Sequence, residues 1–279
     1  MAVCLCLWLS TCAAVSAQTQ TPAPGITKFT LRKSGLELER QTRVGAFYDV
    51  TGRRAAAFGY EHRGMEAWVY PMKLLEGFEL SFHLEGYPLD INGADTLTRI
   101  TTRPEATIFT YTHAAFRVRQ IIFAPVDEPG LVMLLDVESV LPLTIKVSFR
   151  PRLRLSWPAG LMTGNLSWDE KAHVYFLTEE TKRFVGVVGS PAARDVSVMP
   201  YQEEPRDVPA RFVIEPTPES LRAQFIPIII AGSSEGRDRA KQTYEHLLNS
   251  IPALYEQTVA HYERLQNETL SIKTPDARL

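Results

Sequence analysis

The feature that most constrains the fold is the spacing of apolar residues, which recurs at every second position over most of the chain and then changes. Residues 116–121 and 143–150 alternate apolar and polar side chains, and residues 106–112 are rich in β-branched and aromatic types. A period of two is typical of strands that bury one face and expose the other. After about residue 235 the spacing becomes helical, so the sequence predicts sheets followed by helices.

Two segments are more continuously apolar than the rest. Leu131 to Val137 and Phe225 to Ala231 carry apolar side chains at nearly every position. Such runs are typical of strands that are covered on both faces. Pro227 has no backbone N–H group, so we expect it at a sheet edge or a bulge.

Short turn sequences separate the predicted strands. Asp127-Glu128-Pro129-Gly130, Asn92-Gly93 and Trp157-Pro158-Ala159-Gly160 carry residues that turns favour. The glycines between residues 44 and 64 indicate further short strands and tight turns. Many short strands with no intervening helices predict a mainly β fold, an antiparallel β-sandwich.

Residues 235–249 and 252–267 have the spacing of two amphipathic helices, separated around Ser250-Ile251-Pro252. The apolar faces of the two helices consist of Ala240, Tyr244, Leu247 and Leu248 in the first and of Tyr255, Val259, Tyr262 and Leu265 in the second. We therefore predict a sheet domain over residues 27–232 and linker helices over residues 233–273.

The first 17 residues resemble a secretory signal peptide. An apolar run from Ala2 to Leu9 precedes small residues that end in Val15-Ser16-Ala17, a pattern like that of a cleavage site. This stretch is too short to span a bilayer, and no later run reaches the length that spanning requires. We expect export to the periplasm or the extracellular space, with residues 18–26 as a disordered leader.

All three cysteines, Cys4, Cys6 and Cys12, lie within the predicted signal peptide. Cleavage after Ala17 would leave a mature protein without cysteine. Disulfides, cysteine-bound zinc and a thiol nucleophile are therefore excluded for the predicted mature form.

Composition and motifs argue against nucleic-acid, nucleotide and metal binding. The formal net charge is −2, both signs are interspersed, and no basic stripe suited to nucleic acid is present. Neither a G-x-G-x-x-G motif nor a P-loop occurs. No histidine lies within five residues of another, so we expect scattered histidines, no metal site and no cofactor.

One segment matches the G-x-S-x-G pattern of serine hydrolases. Gly232-Ser233-Ser234-Glu235-Gly236 follows an apolar strand and precedes a helix. A nucleophile elbow also needs a parallel sheet and a suitably placed later histidine, whereas His246 and His261 lie on the predicted helices. We therefore expect Ser233 or Ser234 to cap the first helix, and a hydrolase that uses Ser234 is an alternative hypothesis.

Two aromatic residues are candidates for contact with a sugar. Trp68 and Tyr70 are two positions apart, which would place both rings on one strand face, and Glu61 and Glu66 lie nearby. The rings either stack on a sugar or fill the core, and core packing is the commoner use.

The last six residues, from Thr274 to Leu279, carry signals of a helix start. Thr274 is a residue type that caps helices, Pro275 suits the first helical position, and Asp276 suits the helix dipole. We expect residues 274–279 to begin a further helical domain of a longer protein.

Five short segments match a known pattern when they are considered together. They are Glu66-Ala67-Trp68-Val69-Tyr70-Pro71, Arg103-Pro104-Glu105, Phe123-Ala124-Pro125, Trp157-Pro158-Ala159-Gly160 and Thr274-Pro275-Asp276. With these segments the chain resembles the amino-terminal region of bacterial glycogen-debranching-type glycosidases, the amylo-α-1,6-glucosidase and glucoamylase-like enzymes.

The resemblance implies a β-supersandwich, similar to galactose-mutarotase-like folds, that a linker helix joins to an (α/α)₆ barrel of six helical hairpins. In that family the barrel carries the two catalytic carboxylates, which implies that the catalytic residues lie beyond Leu279. The implied partners are an α-glucan or related oligosaccharide and the helical barrel itself. The resemblance also implies that the sandwich contributes to the rim of the substrate pocket, and we assign Glu66, Trp68 and Tyr70 to that rim. A self-standing carbohydrate-binding β-sandwich module is the alternative that Trp68 and Tyr70 motivate.

Overall fold

The computed structural model of the protein describes residues 25–156, 164–197 and 208–270. The predicted signal peptide, the predicted turn at 157–160 and the predicted helix start at 274–276 lie outside the described residues. Within them the chain forms two antiparallel sheets that pack face to face, with two helices on the outer side of one sheet.

Strands account for most of the described residues. In chain order they are β1 (Ile26–Thr27), β2 (Leu38–Gln41), β3 (Phe47–Thr51), β4 (Ala55–Tyr60), β5 (Met65–Val69), β6 (Met72–Leu84), β7 (Ile91–Asn92), β8 (Leu97–Thr102), β9 (Thr107–His113), β10 (Phe116–Phe123), β11 (Gly130–Ser139), β12 (Leu143–Leu155), β13 (Gly164–Asp169), β14 (Val174–Glu179), β15 (Val185–Gly189), β16 (Ala193–Arg194), β17 (Ala210–Ile214) and β18 (Gln224–Ser233). The helices of the same residues are α1 (Gly93–Thr96), α2 (Pro218–Ala223), α3 (Arg237–Asn249) and α4 (Ile251–Glu268).

The strands form one sheet of ten strands and one of eight. The larger sheet has the order β13-β14-β15-β18-β11-β10-β9-β8-β2, and β1 also pairs with β18. The smaller sheet has the order β16-β17-β12-β6-β5-β4-β3, and β7 also pairs with β6. Paired strands are antiparallel throughout the described residues, so the predicted mainly β, antiparallel sandwich is confirmed.

The first core lies between the two sheets and follows the alternation of the sequence. In β12, for example, Leu143, Ile145, Val147 and Phe149 are buried, while the residues between them remain partly accessible. Similar inward rows from both sheets complete one continuous apolar cluster. Since burial of apolar surface contributes about 25 cal/mol per Å², this inter-sheet core is a main source of stability.

A second core lies between the ten-stranded sheet and the helices. The helical residues in it are Ala240, Tyr244, Leu247, Ile251, Leu254, Tyr255 and Val259. They pack on outward apolar side chains of the sheet, among them Val132 and Leu134 of β11 and Ile229 of β18. Both β11 and β18 are therefore covered on two faces, which confirms the prediction from their continuous apolar runs.

The side chains of α4 are less buried in its second half. Its buried residues end at Val259, Tyr262 is half-buried, and Leu265 is 38% exposed. The predicted apolar face therefore extends beyond the buried part of the helix, and Leu265 lies at its exposed end. A helix of this length spans about 27 Å, and its residues that belong to the second core lie between Ile251 and Val259.

The start of α3 differs from the prediction. Gly236 is the N-cap with φ of 93°, and no side chain caps the helix. The Ser233 hydroxyl instead accepts a hydrogen bond from the Glu235 N–H at 2.9 Å. Capping by Ser233 or Ser234 is therefore wrong, because the chain enters α3 through a left-handed conformation that glycine adopts without steric cost.

Pro227 lies in a central strand of the ten-stranded sheet, where we expected an edge or a bulge. It pairs with Leu134 of β11. On the other side of β18, pairing with β1 involves Phe225 and pairing with β15 begins at Ile229. Pro227 falls in the gap between these two partners, which explains how a residue without an N–H group is accommodated in a central strand.

Two short helices interrupt the strands, contrary to the expectation of none. The Asn92 side chain accepts a hydrogen bond from the Ala94 N–H at 3.0 Å, so the predicted Asn92-Gly93 turn becomes the cap of α1. The helix α2 precedes β18 directly. Both are too short to show a helical period in the sequence.

The described part of the chain includes the end of the predicted leader. Ile26, the last residue of the predicted leader, pairs with Phe225 in the sheet. Residues 18–24 of that leader lie outside the described residues. None of the helices within the described ranges is both long enough and apolar enough to cross a membrane.

Candidate functional site

The predicted site residues Glu66 and Trp68 lie on the outer face of the eight-stranded sheet. Along β5, Met65, Ala67 and Val69 belong to the inter-sheet core. Glu66 and Trp68 alternate with them and are half-buried on the opposite face. The strand period therefore places these two side chains next to each other on an accessible surface.

Tyr70 does not share that face. The strand β5 ends at Val69, and Tyr70 lies in the following turn, joined to Pro71 by a cis peptide bond. The Tyr70 side chain is 75% exposed. The expectation that Trp68 and Tyr70 lie on one strand face is wrong, because the alternation stops where the strand ends.

Hydrogen bonds and an ion pair fix the side chains of Glu66 and Trp68. The Trp68 indole N–H donates to Glu66 Oε1 at 3.0 Å, and Glu66 Oε2 pairs with Lys73 of β6. Lys73 lies opposite Trp68 in the β5–β6 register, and its Nζ is 5.9 Å from the centre of the indole ring. One face of the ring is therefore close to a cation, an arrangement that stabilises both groups.

The ion pairs continue across the outer face from β6 to β12. Lys73 Nζ lies 3.1 Å from Glu76 Oε2, and Glu76 also pairs with Arg152. The hydrogen bond from Arg152 lowers the pKa of the Glu76 carboxyl, which burial alone would raise. We call Glu66, Trp68, Lys73, Glu76 and Arg152 the outer-face array. It holds two carboxylates and an indole at fixed positions, where carboxylate oxygens can accept hydrogen bonds from hydroxyl groups.

Sequence reasoning missed Lys73, Glu76 and Arg152. They lie on other strands than Trp68, and only the pairing of β5 with β6 and of β6 with β12 brings them together. The charged residues at outward positions of residues 143–155 indicated a charged outer face. The sequence does not show which strand lies beside them.

Three further aromatic side chains lie on the same outer face. Phe47 contacts Phe58 with ring centroids 6.4 Å apart and Tyr60 with centroids 5.6 Å apart. Phe58 is the cross-strand partner of Glu66, so this aromatic group adjoins the outer-face array. Phe47 and Tyr60 are 55% and 48% exposed, which leaves their rings accessible to a ligand.

Tyr70 lines a polar cleft at the end of the sandwich where α3 begins. The cleft has a volume of about 130 Å³. Residues from separate parts of the chain line it, among them Arg54, Glu128, Ser234, Arg239 and His246. His246 Nε2 lies 3.4 Å from Glu128 Oε1. The cleft thus combines an exposed aromatic ring with positively and negatively charged side chains that can donate or accept hydrogen bonds.

The surroundings of the G-x-S-x-G segment do not form a nucleophile elbow. The preceding strand β18 is antiparallel to both β11 and β15, whereas an elbow stands at the end of a parallel strand. The Ser233 hydroxyl oxygen accepts a hydrogen bond from the Glu235 N–H. The hypothesis of a hydrolase that uses Ser234 loses the structural context on which it depends.

The histidines lie in separate environments. His62 contacts Ala94 and Thr42, His83 contacts Asp90, and the ring of His113 stacks on Phe116. Among the residues that the structure describes, no group of three or more His, Cys, Asp or Glu side chains is placed to hold a metal ion.

Arg103 and Glu105, from one of the segments that carry the resemblance, connect the sheet to the helices. Glu105 is buried and accepts hydrogen bonds from the Ser34 hydroxyl at 2.5 Å and the Ser34 N–H at 3.2 Å. Gln266 of α4 donates to the same hydroxyl at 3.3 Å. Arg103 Nε donates to Glu37 at 2.7 Å. These residues hold α4 in place, which is a structural role.

The fold and the two surfaces define an antiparallel β-sandwich with a helical hairpin on one sheet. No protein-family model matches the sequence, and no curated protein matches it significantly. Among solved structures, the chain is similar to a bacterial glucoamylase complexed with acarbose, with a TM-score of 0.60 and 9% sequence identity. The similarity covers 88% of this chain and 40% of that chain, so the chain spans about two-fifths of the glucoamylase. At this identity the likeness shows a shared fold.

A second similar structure is the ligand-free α-N-acetylgalactosaminidase NagBb from Bifidobacterium bifidum. The match covers 76% of this chain and 38% of that chain, with 10% identity and a TM-score of 0.29. Both of these structural neighbours are glycosidases. The second match is too weak to carry an argument about this chain.

Proposed function

We propose that this chain is the non-catalytic β-sandwich region of an exported glycoside hydrolase of the glycogen-debranching or glucoamylase-like type. The sandwich would pack on an (α/α)₆ barrel that carries the catalytic residues and lies outside this chain. The observation that supports the proposal is the fold: two large antiparallel sheets followed by a helical hairpin, shared over 88% of this chain with a bacterial glucoamylase. The substrate would be an α-glucan or a related oligosaccharide.

In this proposal the sandwich contributes to the rim of the substrate pocket. Tyr70 projects at the end of the sandwich, and its ring is available for stacking on a sugar. Glu66 and Trp68 both lie in β5, and their side chains are fixed by the hydrogen bond between them and by the ion pair of Glu66 with Lys73. Groups whose positions are fixed in advance bind a ligand with a smaller loss of conformational entropy.

The proposed location is the periplasm or the extracellular space. Its support is the apolar stretch of residues 1–17 and the small residues that end it. A mass spectrum of the exported protein tests this part, since cleavage after Ala17 would give a mature chain that begins at Gln18. A full-length protein retained in the cytoplasm would contradict it.

The enzyme itself tests the main proposal. We expect the reading frame to continue beyond the codon of Leu279 into a helical region with paired carboxylates. The present chain alone would then show no hydrolysis of maltose, isomaltose, pullulan or starch, whereas the longer protein would be active. A stop codon directly after Leu279, or hydrolysis by the chain alone, would refute the proposal.

Substitutions in the longer protein test the rim. Trp68→Ala and Tyr70→Ala should each raise KM by about five- to tenfold with a smaller effect on kcat, because they remove binding rather than chemistry. Tyr87→Ala is the matched control, since Tyr87 is an exposed tyrosine outside both surfaces. Unchanged KM in both rim variants would remove these residues from the pocket and leave the domain assignment intact.

A self-standing carbohydrate-binding module is a second candidate. The exposed rings of Phe47 and Tyr60 beside the outer-face array favour it, because aromatic side chains on an accessible sheet face can stack on sugar rings. Calorimetric titration of the isolated chain with soluble glucans tests it, and Trp68→Ala should abolish the binding. The absence of binding heat across α- and β-glucans would dismiss this candidate.

A further inference from the structure

A cleft between the two sheets opens beside the turn that joins β4 to β5. This turn is at the opposite end of β4 from Arg54, so the cleft is separate from the one that Tyr70 lines. We call it the inter-sheet cleft. It has a volume of about 50 Å³, and its walls include the aromatic rings of Tyr48, Phe78, Phe109 and Tyr111. One water molecule needs about 10–15 Å³ by this measure, so the inter-sheet cleft has room for a few hydroxyl-sized groups.

The inner wall contains polar side chains in an otherwise apolar core. Gln120 and Tyr111 belong to strands whose neighbouring inward residues are apolar, and both side chains are buried. The Tyr111 hydroxyl donates to Gln120 Oε1 at 2.8 Å. A buried polar pair of this kind is the informative exception in a core, because each polar group must be hydrogen-bonded or lose stability.

Hydrogen-bonding capacity remains unused in this wall. Gln120 Nε2 has two protons, and its partner among the described residues is the Met133 sulfur at 3.5 Å, a weak acceptor. The Tyr48 hydroxyl has no hydrogen-bond partner within the described parts of the chain. Burial raises the pKa of Tyr48, so its hydroxyl keeps its proton and is available as a donor. A buried amide proton and the hydroxyl of the partly buried Tyr48 therefore both lack a strong acceptor.

The rim of the inter-sheet cleft is held rigidly. His62 has φ of 62°, a left-handed conformation that is rare for residues other than glycine. Its ring nitrogens lie 2.7 Å from the Ala94 carbonyl oxygen and 3.0 Å from the Thr42 hydroxyl, which ties the turn to two other segments. Residues in such conformations persist where the surroundings hold them, and they are concentrated at ligand sites.

The charge of the cleft is balanced. Glu61 is 1% exposed, and its carboxylate is paired with Arg40 and accepts a bond from the Arg43 N–H at 2.6 Å. The Glu61 charge is therefore neutralised within the wall. Arg63 and Glu79 also line the cleft and carry opposite charges, so its formal charges balance. With its amide, phenol and aromatic rings, such a cleft suits a neutral molecule with hydroxyl groups better than an ion.

We propose that the inter-sheet cleft binds a small neutral polyhydroxylated molecule, either a free polyol or one edge of a sugar, through the Tyr48 hydroxyl and the Gln120 amide. This site goes beyond the proposed function, because it lies apart from Glu66, Trp68 and Tyr70 and does not depend on a catalytic partner. The hydroxyl groups of the ligand would accept from Tyr48 and Gln120 and replace the water that such buried groups otherwise require.

Titration of the chain with glycerol, glucose and maltose, followed by amide chemical shifts, tests the proposal and separates the sources of the ligand. We expect shifts at Tyr48, His62 and Gln120 with at least one of the three. Glycerol alone would indicate a free polyol, whereas glucose or maltose would indicate a sugar edge. Tyr48→Phe and Gln120→Met should each weaken binding about tenfold, the value for one lost hydrogen bond.

Tyr244→Phe is the matched control. Its hydroxyl is buried and lacks a partner among the described residues, but Tyr244 belongs to the core under α3 and does not line the cleft. Binding should be unchanged in this variant. If Gln120→Met does not fold, Tyr48→Phe alone decides the question, since it removes one oxygen and retains the ring. Two results would overturn the proposal and leave the cleft as a water site. One is unchanged affinity in Tyr48→Phe, and the other is the absence of chemical-shift changes with any of the three compounds at concentrations up to about 0.1 M.

Discussion

The ring of Phe123 in β10 lies edge-on against the ring of Tyr255 in α4, with centroids 5.3 Å apart and planes at 87°. Both side chains are fully buried, and the Tyr255 hydroxyl donates to the Arg32 carbonyl oxygen at 3.0 Å. This geometry is a favourable arrangement of two aromatic rings. Tyr255 therefore joins three elements: the ten-stranded sheet, α4 and the segment that precedes β2.

Tyr255→Ala should lower the free energy of unfolding by about 3–5 kcal/mol, because it removes a buried aromatic ring and leaves a cavity. Urea denaturation measures the loss, and hydrogen exchange should show the first half of α4 opening before the sheet. Tyr262→Ala is the control, since Tyr262 is a half-buried tyrosine in the less buried half of α4. An equal loss for the two variants would contradict the described packing of α4.

Glu105→Ala should destabilise the fold by about 1–3 kcal/mol, because it leaves the buried Ser34 donors without an acceptor. Glu138→Ala is a matched control. Glu138 pairs with Arg117 on the surface, and an exposed pair contributes about 0–1 kcal/mol. Thermal or denaturant unfolding of both variants provides the comparison, and a smaller effect at Glu105 than at Glu138 would show that the Ser34 contact is unimportant.

The stability of the fold should depend on pH through Glu179. Burial alone would raise the pKa of this carboxyl, but hydrogen bonds from the Thr181 hydroxyl and from the N–H groups of Phe184, Thr181 and Arg183 outweigh burial and lower it. A pKa that is lower in the folded state than in the unfolded state means that the folded state prefers the charged form.

The sign of the effect follows from this direction. Above the unfolded pKa of about 4.3 the contribution of Glu179 is present, and it is lost as the pH falls below that value through the lower folded pKa. Glu179→Gln should therefore destabilise the protein at pH 7 and flatten the decline of stability at acidic pH. Unfolding free energies measured from pH 7 down to about 3 test this, with the exposed neighbour Glu180→Gln as control. Parallel pH profiles for the wild type and Glu179→Gln would be the contrary result.

Gly59 is required by the ring of Tyr48, its cross-strand partner in the β3–β4 pair. A Cβ atom at position 59 would lie 2.7 Å from the Tyr48 Oη, well inside van der Waals contact. Gly59→Ala should cost about 1–3 kcal/mol through overpacking, and much less in a Tyr48→Leu background.

Gly45→Ala is the control for this double-mutant cycle. Gly45 has φ of 79° and no neighbouring atom within 4 Å of a Cβ, so its substitution reports backbone strain alone. Its cost should be the same with Tyr48 or Leu at position 48. A coupling energy near zero between positions 48 and 59 would show that Tyr48 does not lie over Gly59 in solution.

The alternation of the sequence predicted the fold class because a half-buried strand imposes a period of two on its side chains. The rows in β10 and β12 confirm this relation, as do the doubly covered strands β11 and β18. Pro227 shows where the rule ends. Its environment depends on two other strands, and a local pattern does not contain their positions.

The candidate site was only partly predictable for the same reason. Glu66 and Trp68 share a face because they lie in one strand, whereas Lys73 and Arg152 reach them through strand register. Tyr70 was assigned to the wrong face because β5 ends one residue before it. Gln120 and Tyr48 were missed entirely, since the alternating pattern predicts a buried position without indicating that a polar side chain there would face a cavity.

The pairing of β18 with β11 also has a consequence during synthesis, because the two strands are made at different times. Its partner β11 ends at Ser139, about 85 residues before β18 begins at Gln224. At typical translation rates of about 5–20 residues per second, the edge of β11 that β18 later covers remains unpaired for on the order of 5–20 s. An apolar strand with a free edge is a template for association with other chains. The nascent protein is therefore most vulnerable to aggregation between the synthesis of β11 and that of β18, and a chaperone that shields β11 would act in this interval.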